Sequence, residues 1–186
     1  MELTADPVSE RYRRLSATVT ERVAAVPPDA WANPSPCAAW TALDLVAHLI
    51  EVHGRFQEMV GRSLVEHPSV AEDPLGAWTA VREQTLADLE DPLHADALYD
   101  GRLGRSSFAQ SVDGFVCFDL VVHGWDLARA TGQDDTMDPA EVERIGEMVA
   151  AMQPMMLENG VIEQPVEPAP GASPQERLLC ALGRTP

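Results

Sequence analysis

Asp119, His123 and Asp126 stand within FDLVVHGWDLARATG, residues 118–132, a stretch otherwise apolar enough to form a buried helix. At about 100° per residue, with Asp119 at zero, His123 falls at about +40°, Asp126 at about −20° and Ala130 at about +20°, so the polar groups share one stripe. Phe115, Val116 and Val122 border that stripe within about 60°. Phe118, Leu120, Val121, Trp125 and Leu127 make the remaining faces apolar. A helix apolar nearly all round is buried. A carboxylate or imidazole taken out of water with it costs on the order of several kcal/mol unless it is neutralised, paired or bound to a metal.

Asp119 and His123 are spaced i and i+4, which aims two side chains at one spot, as paired ligands on helical metal sites are aimed. A carboxylate with a neutral imidazole suits a divalent transition metal, and a third ligand is needed to hold one. The helix after the Pro-rich loop supplies a candidate. With Leu45 at zero, its apolar seam is Leu45, Leu49, Val52 and Phe56, and His48 lies about 60° to one side. His53 is about 140° from His48, which puts it on the surface or the opposite flank. His67 and His94 fall in loops and are expected to be solvated.

Simpler accounts stand beside the metal. An internal Asp119–His123 hydrogen bond would satisfy both groups. Asp126 could accept the other ring N–H of His123 and orient it from behind, or pair with Arg129. Asp44, one turn before His48, could orient that ring or simply cap its own helix. Trp40 and Trp125 read as core aromatics.

The elements that must position these residues are helical. Residues 8–26 carry apolar positions at helical spacing and stop before Pro27-Pro28. PPDAWANPSPCAAW has no period and reads as an ordered loop lined by Trp31 and Trp40. Thr41 with Asp44 caps a helix running to about Val60. Asp73-Pro74 opens a third, ending near residue 90. Residues 91–110 read as a loop or a short hairpin before a helix over 111–131, closed by Gly132. Asp138, Pro139 and Glu141 open a helix to about Leu157. ENGVIEQPVEPAPGAS is linker-like, and Ser173-Pro174 with Glu176 caps a last short helix whose Leu178, Leu179 and Leu182 should dock on the body. The pattern predicts an all-α bundle over 1–160, with 161–186 as a Pro-rich tail carrying a short C-terminal helix.

Composition narrows the partners. The 186 residues carry a formal net charge of −17, and all 13 basic residues are Arg. An acidic surface repels phosphate backbones and anionic lipid, so nucleic acid and membrane are poor candidate partners. No stretch approaches the roughly 20 apolar residues of a membrane span and the N-terminus has no apolar leader core, so a soluble, cytoplasmic protein is expected. Cys37, Cys117 and Cys180 are few and far apart, which points to reduced thiols rather than a disulfide framework. The lack of Lys beside abundant Ala, Pro and Arg suggests a GC-rich genome.

Three segments together carry a family resemblance: PSPCAAW followed by WTALDLVAHLIEVHGRF, then FDLVVHGWDLARATGQ, then LLCALGR near the end. They resemble actinobacterial single-domain relatives of the mycothiol-dependent maleylpyruvate isomerase metal-binding domain, in the DinB-like superfamily. The likeness covers nearly the whole chain. It implies a DinB-like four-helix bundle with a divalent metal, usually zinc, held by a His of the second helix and a carboxylate and His of a later one. On this chain those positions are His48, Asp119 and His123, with Asp126 as the candidate orienting partner. The family pattern has Glu where this chain has Asp119. The isomerase also has a second, C-terminal domain, whereas about 26 residues follow the bundle here, so its substrate chemistry is not carried over.

The resemblance implies mycothiol as a thiol cosubstrate, with zinc, or alternatively nickel or iron, holding it as a thiolate that attacks an electrophilic substrate in a transferase or isomerase reaction. Three protein ligands leave coordination positions open, as catalytic zinc sites do. The alternatives are a metal-binding module without catalysis and a metal-free helical interaction protein. A homodimer is compatible with any of them.

Overall fold

Most of the helices after the first begin where the sequence supplies a side chain for otherwise unpaired backbone N–H groups. In the computed structural model, which describes residues 7–102 and 104–186, α1 spans Val8–Ala24 and α2 spans Ala42–Met59. Thr41 and Asp44 form a reciprocal capping box at the start of α2. Helix α3 (Pro74–Glu90) is capped by Asp73 and α7 (Pro139–Glu158) by Asp138, each with proline at the first helical position. Helix α8 (Pro174–Ala181) starts on a Ser173–Glu176 capping box. Between α3 and α7 lie a one-turn helix α4 (Pro92–Ala95), an antiparallel hairpin of β1 (Leu98–Gly101) and β2 (Gly104–Ser107), another one-turn helix α5 (Phe108–Ser111), and α6 (Cys117–Thr131).

The architecture is all-α with one short hairpin. Helix α1 packs on α3 and α6, and α2 packs on the same two, closing a four-helix ring whose interior holds Tyr12, Val19, Leu45, Leu49, Trp78, Val81, Trp125 and Leu127. Helices α7 and α8 pack together beside the ring and bury Ile145, Val149, Leu178, Leu179 and Leu182.

Two details differ from the sequence expectation. The helix expected from residue 111 starts at Phe108, because Ser107 and Gln110 make a capping box there. The chain then passes through a π turn, Val112–Val116, closed by Cys117 N–H donating to Val112 O five residues back. The wider turn leaves Phe115 39% exposed and stacked on Phe56 at 5.6 Å, instead of enclosed within the apolar face. Gly132 ends α6 at φ 70°, a left-handed conformation glycine adopts without a Cβ penalty.

His53 occupies the flank rather than the surface. It is 2% exposed, its Nδ1–H donates to Leu49 O at 2.6 Å, and Tyr12 Oη–H donates to its Nε2 at 3.0 Å. Trp78 packs edge-on at 5.5 Å. Burial therefore pushes the His53 imidazole down to about 4, against smaller opposing effects from Leu49 O and Asp119.

A buried ion pair ties α7 to the ring. Arg11 on α1 donates through Nε and Nη2 to Glu141 on α7 and through Nη1 to the Asp113 carbonyl and carboxylate in the π turn. Arg14 reaches Glu141 and Asp138 from the next turn. Burial raises the Glu141 carboxyl, but the two guanidiniums outweigh it and hold the group below the usual range.

Replacing Arg11 with Ala takes the buried guanidinium from Glu141, leaving it only the more exposed Arg14, and should cost roughly 3 kcal/mol in urea unfolding. His53 gives a second test. Its folded pKa lies below its unfolded value, so its contribution is complete above pH 6.5 and lost as pH falls toward 4. Between pH 7 and 5 the metal-free protein should lose about 2 kcal/mol more than His53→Gln, which keeps a donor and an acceptor but does not titrate.

Candidate metal centre

His48 projects from the second turn of α2, beside the buried seam of Leu45, Leu49 and Val52. Asp119 and His123 project from the first two turns of α6, and because α2 and α6 are neighbours in the ring the three side chains meet. His48 Nε2 lies 3.5 Å from Asp119 Oδ2, and His123 Nε2 lies 3.9 Å from Asp119 Oδ1. One ligand atom from each residue lies within 4.8 Å of the other two. The side chains are 18%, 17% and 9% exposed for His48, Asp119 and His123.

Neither carboxylate–imidazole approach is a hydrogen bond, since direct N–H···O bonds fall at about 2.7–3.2 Å. The internal Asp119–His123 bond allowed by the spacing is not formed. The separations instead suit a shared ion: donor atoms about 2.0–2.1 Å from a tetrahedral zinc lie roughly 3.4 Å apart. Donor type and spacing both fit a divalent metal.

Behind the trio, His123 Nδ1–H donates to Asp126 Oδ2 at 2.9 Å. A carboxylate can only accept here, so Nδ1 carries a proton, and in the neutral ring Nε2 then keeps its lone pair toward Asp119 and His48. Asp126 is fully buried. Its partner is Arg184, three residues past the end of α8, which donates through Nε to Oδ1 at 3.3 Å and through Nη2 to Oδ2 at 2.9 Å. Burial raises the Asp126 carboxyl, but hydrogen bonds from His123 and Arg184 reverse that and lower it. Arg129 does not pair with Asp126. It bonds Asp135 at 3.2 Å and lies over the Trp125 ring. Asp44 is exposed and serves only the Thr41 cap.

The loop before α2 covers the site. Trp40 lies 4.5 Å from the His48 ring and 5.5 Å from the His123 ring, centroid to centroid. Its approach depends on Ala39, which adopts φ 66° without being glycine, and on Ser35 N–H donating to Trp40 O at 2.8 Å. In the same loop the Cys37 thiol lies within 4.8 Å of His123 and Asp126, and burial pushes it up to about 11. All three cysteines are free thiols.

Sequence reasoning treated Trp40 as a core residue and did not assign Arg184 or Cys37 to the site. For Trp40 a signal existed, since it directly precedes the N-cap of the helix that carries His48. Arg184 ends the LLCALGR segment that carries part of the resemblance, but spacing could not give its partner, which is 58 residues away and is met only through how α8 docks. His67 is half-buried with its ring bonded to Pro68 O, and His94 is half-buried against Asp88. No helix among the described residues is long and apolar enough to cross a membrane.

Comparison with known proteins adds a family. The family described as mycothiol maleylpyruvate isomerase N-terminal domain matches residues 12–128. Two uncharacterised proteins of Mycobacterium tuberculosis, from strains CDC 1551 and H37Rv, are each 30% identical over 185 residues, covering 97% of this chain and 98% of theirs. No solved structure matches.

Asp126→Ala should be among the most destabilising changes at the site. It leaves Arg184 buried without its carboxylate, and about 3–5 kcal/mol should be lost in urea unfolding of the metal-free protein.

Proposed function

Because the chain belongs to the mycothiol maleylpyruvate isomerase N-terminal domain family, we propose that it binds a divalent metal, zinc foremost, through His48, Asp119 and His123, and that it is a thiol-dependent transferase or isomerase. One observation carries this reading: two imidazole nitrogens, one from each of two facing helices, approach the two oxygens of the Asp119 carboxylate at 3.5 and 3.9 Å without hydrogen-bonding to it. Left without a shared cation, that arrangement leaves a largely buried carboxylate with imidazole neighbours just beyond bonding reach.

His48 and His123 offer lone pairs, and Asp119 offers the one negative charge. A bound divalent metal supplies a centre that keeps a coordinated thiol ionised near neutral pH. The residues around it act by position. Asp126 holds the His123 proton at Nδ1, so the opposite nitrogen faces the site. Trp40 covers one side of both imidazoles and limits the water that reaches them. The thiol is mycothiol in this reading, following the family, and the electrophile is a small molecule.

Asp119 gives the site a shorter carboxylate than the family pattern. Its oxygens already lie between the two nitrogens, so reach is not lacking in this geometry.

Metal analysis of the purified protein, followed by calorimetric titration with mycothiol, tests the proposal. About one equivalent of zinc per chain is expected. His48→Ala and His123→Ala should each lower zinc affinity by on the order of a hundredfold or more, and the zinc-loaded protein should bind the thiol. Absence of metal above trace, with no affinity change in the variants, overturns the proposal. Zinc without thiol binding would make the chain a metal-binding module without catalysis.

A further inference from the structure

The C-terminal arm reaches the candidate site from outside the segment that defines the family match, which ends at residue 128. Helix α8 closes in a two-bond turn: Arg184 N–H donates to Leu179 O at 2.9 Å, and Gly183 N–H donates to Cys180 O at 3.0 Å. That pair of bonds is the Schellman arrangement, and it requires a left-handed residue after the cap. Gly183 supplies it at φ 86°, in a space where a Cβ would come within 2.5 Å of the Glu163 side chain. The turn reverses the chain so that Arg184 points inward. Leu178, Leu179 and Leu182 are buried beside it and anchor the turn.

Once inside, every nitrogen of the Arg184 guanidinium donates a hydrogen bond. Nε and Nη2 hold the two oxygens of Asp126, and Nη1 donates to Leu182 O at 3.1 Å. A fork bonded to both oxygens fixes the carboxylate plane as well as its position, which a single contact does not do. Oδ2, the oxygen shared with Nη2, is the one that accepts from His123 Nδ1.

We infer that Arg184 is a positioning residue of the metal site: through Asp126 it sets the orientation and tautomer of His123, so the C-terminal arm completes a centre whose ligands all lie in the bundle. The inference deepens the metal-binding proposal and rests on it for the consequence at the metal. The orientation of the imidazole is a property of the metal-free protein and can be read by itself.

The test uses the full-length chain with wild type, Arg184→Gln and Arg184→Lys. Nitrogen-15 NMR of the metal-free protein reports which ring nitrogen of His123 carries the proton, and competition with a chromophoric chelator reports zinc affinity. Wild type should show a single Nδ1–H tautomer. Arg184→Gln should show a mixture of tautomers and a 10- to 100-fold loss of zinc affinity. Arg184→Lys, which keeps the charge but cannot grip both oxygens, should fall between, and it takes over the test if the Gln variant does not fold. Unchanged tautomer and unchanged zinc affinity in a folded variant overturn the inference while leaving the metal proposal intact. If wild type binds no zinc, the metal proposal fails, and the NMR comparison alone decides whether Arg184 orients the ring.

Discussion

A fully buried carboxylate must find its counter-charges inside the protein, and Asp126 organises much of the molecule around that requirement. Its guanidinium partner comes from the last residues of the chain, and its second partner is an imidazole one turn away on its own helix. To deliver the guanidinium, α8 must dock and its terminal turn must close on glycine. To keep water out, α6 must be apolar on its remaining faces. The buried leucines of α8 and the apolar faces of α6 together hold one ionised group at zero exposure.

The same logic extends outward. Arg11, on the first helix, holds two acidic residues from the π turn and α7, and it does for α7 what Arg184 does for α8. In both cases an arginine fork reaches across an interface that apolar packing alone leaves free to slide, and fixes one relative placement. Arginine suits the task because its planar head offers several donors in fixed directions and stays charged when buried.

Much of the fold was legible because the signals are local. Thr41 with Asp44, Asp73-Pro74, Asp138-Pro139 and Ser173 with Glu176 each mark a helix start by chemistry confined to four residues. The convergence of His48, Asp119 and His123 was approachable for a similar reason, since helical phase puts two of them on one stripe and the third beside a seam. Other features depend on what packs opposite. Helical phase could point His53 away from the site, but the burial that makes it neutral comes from Tyr12 and Trp78 on two other helices. The π turn was hidden because it lies upstream of the polar stripe: Val112–Val116 precedes Asp119, so the phase of Asp119, His123 and Asp126 carries no record of the extra residue. Arg184 was hidden because a pairing across 58 residues leaves no trace in spacing.

The π turn has a further meaning for how this chain can change. It spends one more residue than an α-turn would, at the joint between the hairpin and the helix that bears Asp119 and His123. Such a joint can absorb a residue gained or lost upstream by widening or tightening, while the turns that bear Asp119 and His123 keep their phase. A residue gained or lost in the hairpin or its flanking loops would therefore leave the helix that follows aimed as it is. The slack in one turn separates the length of the hairpin region from the phase of the helix that bears Asp119 and His123.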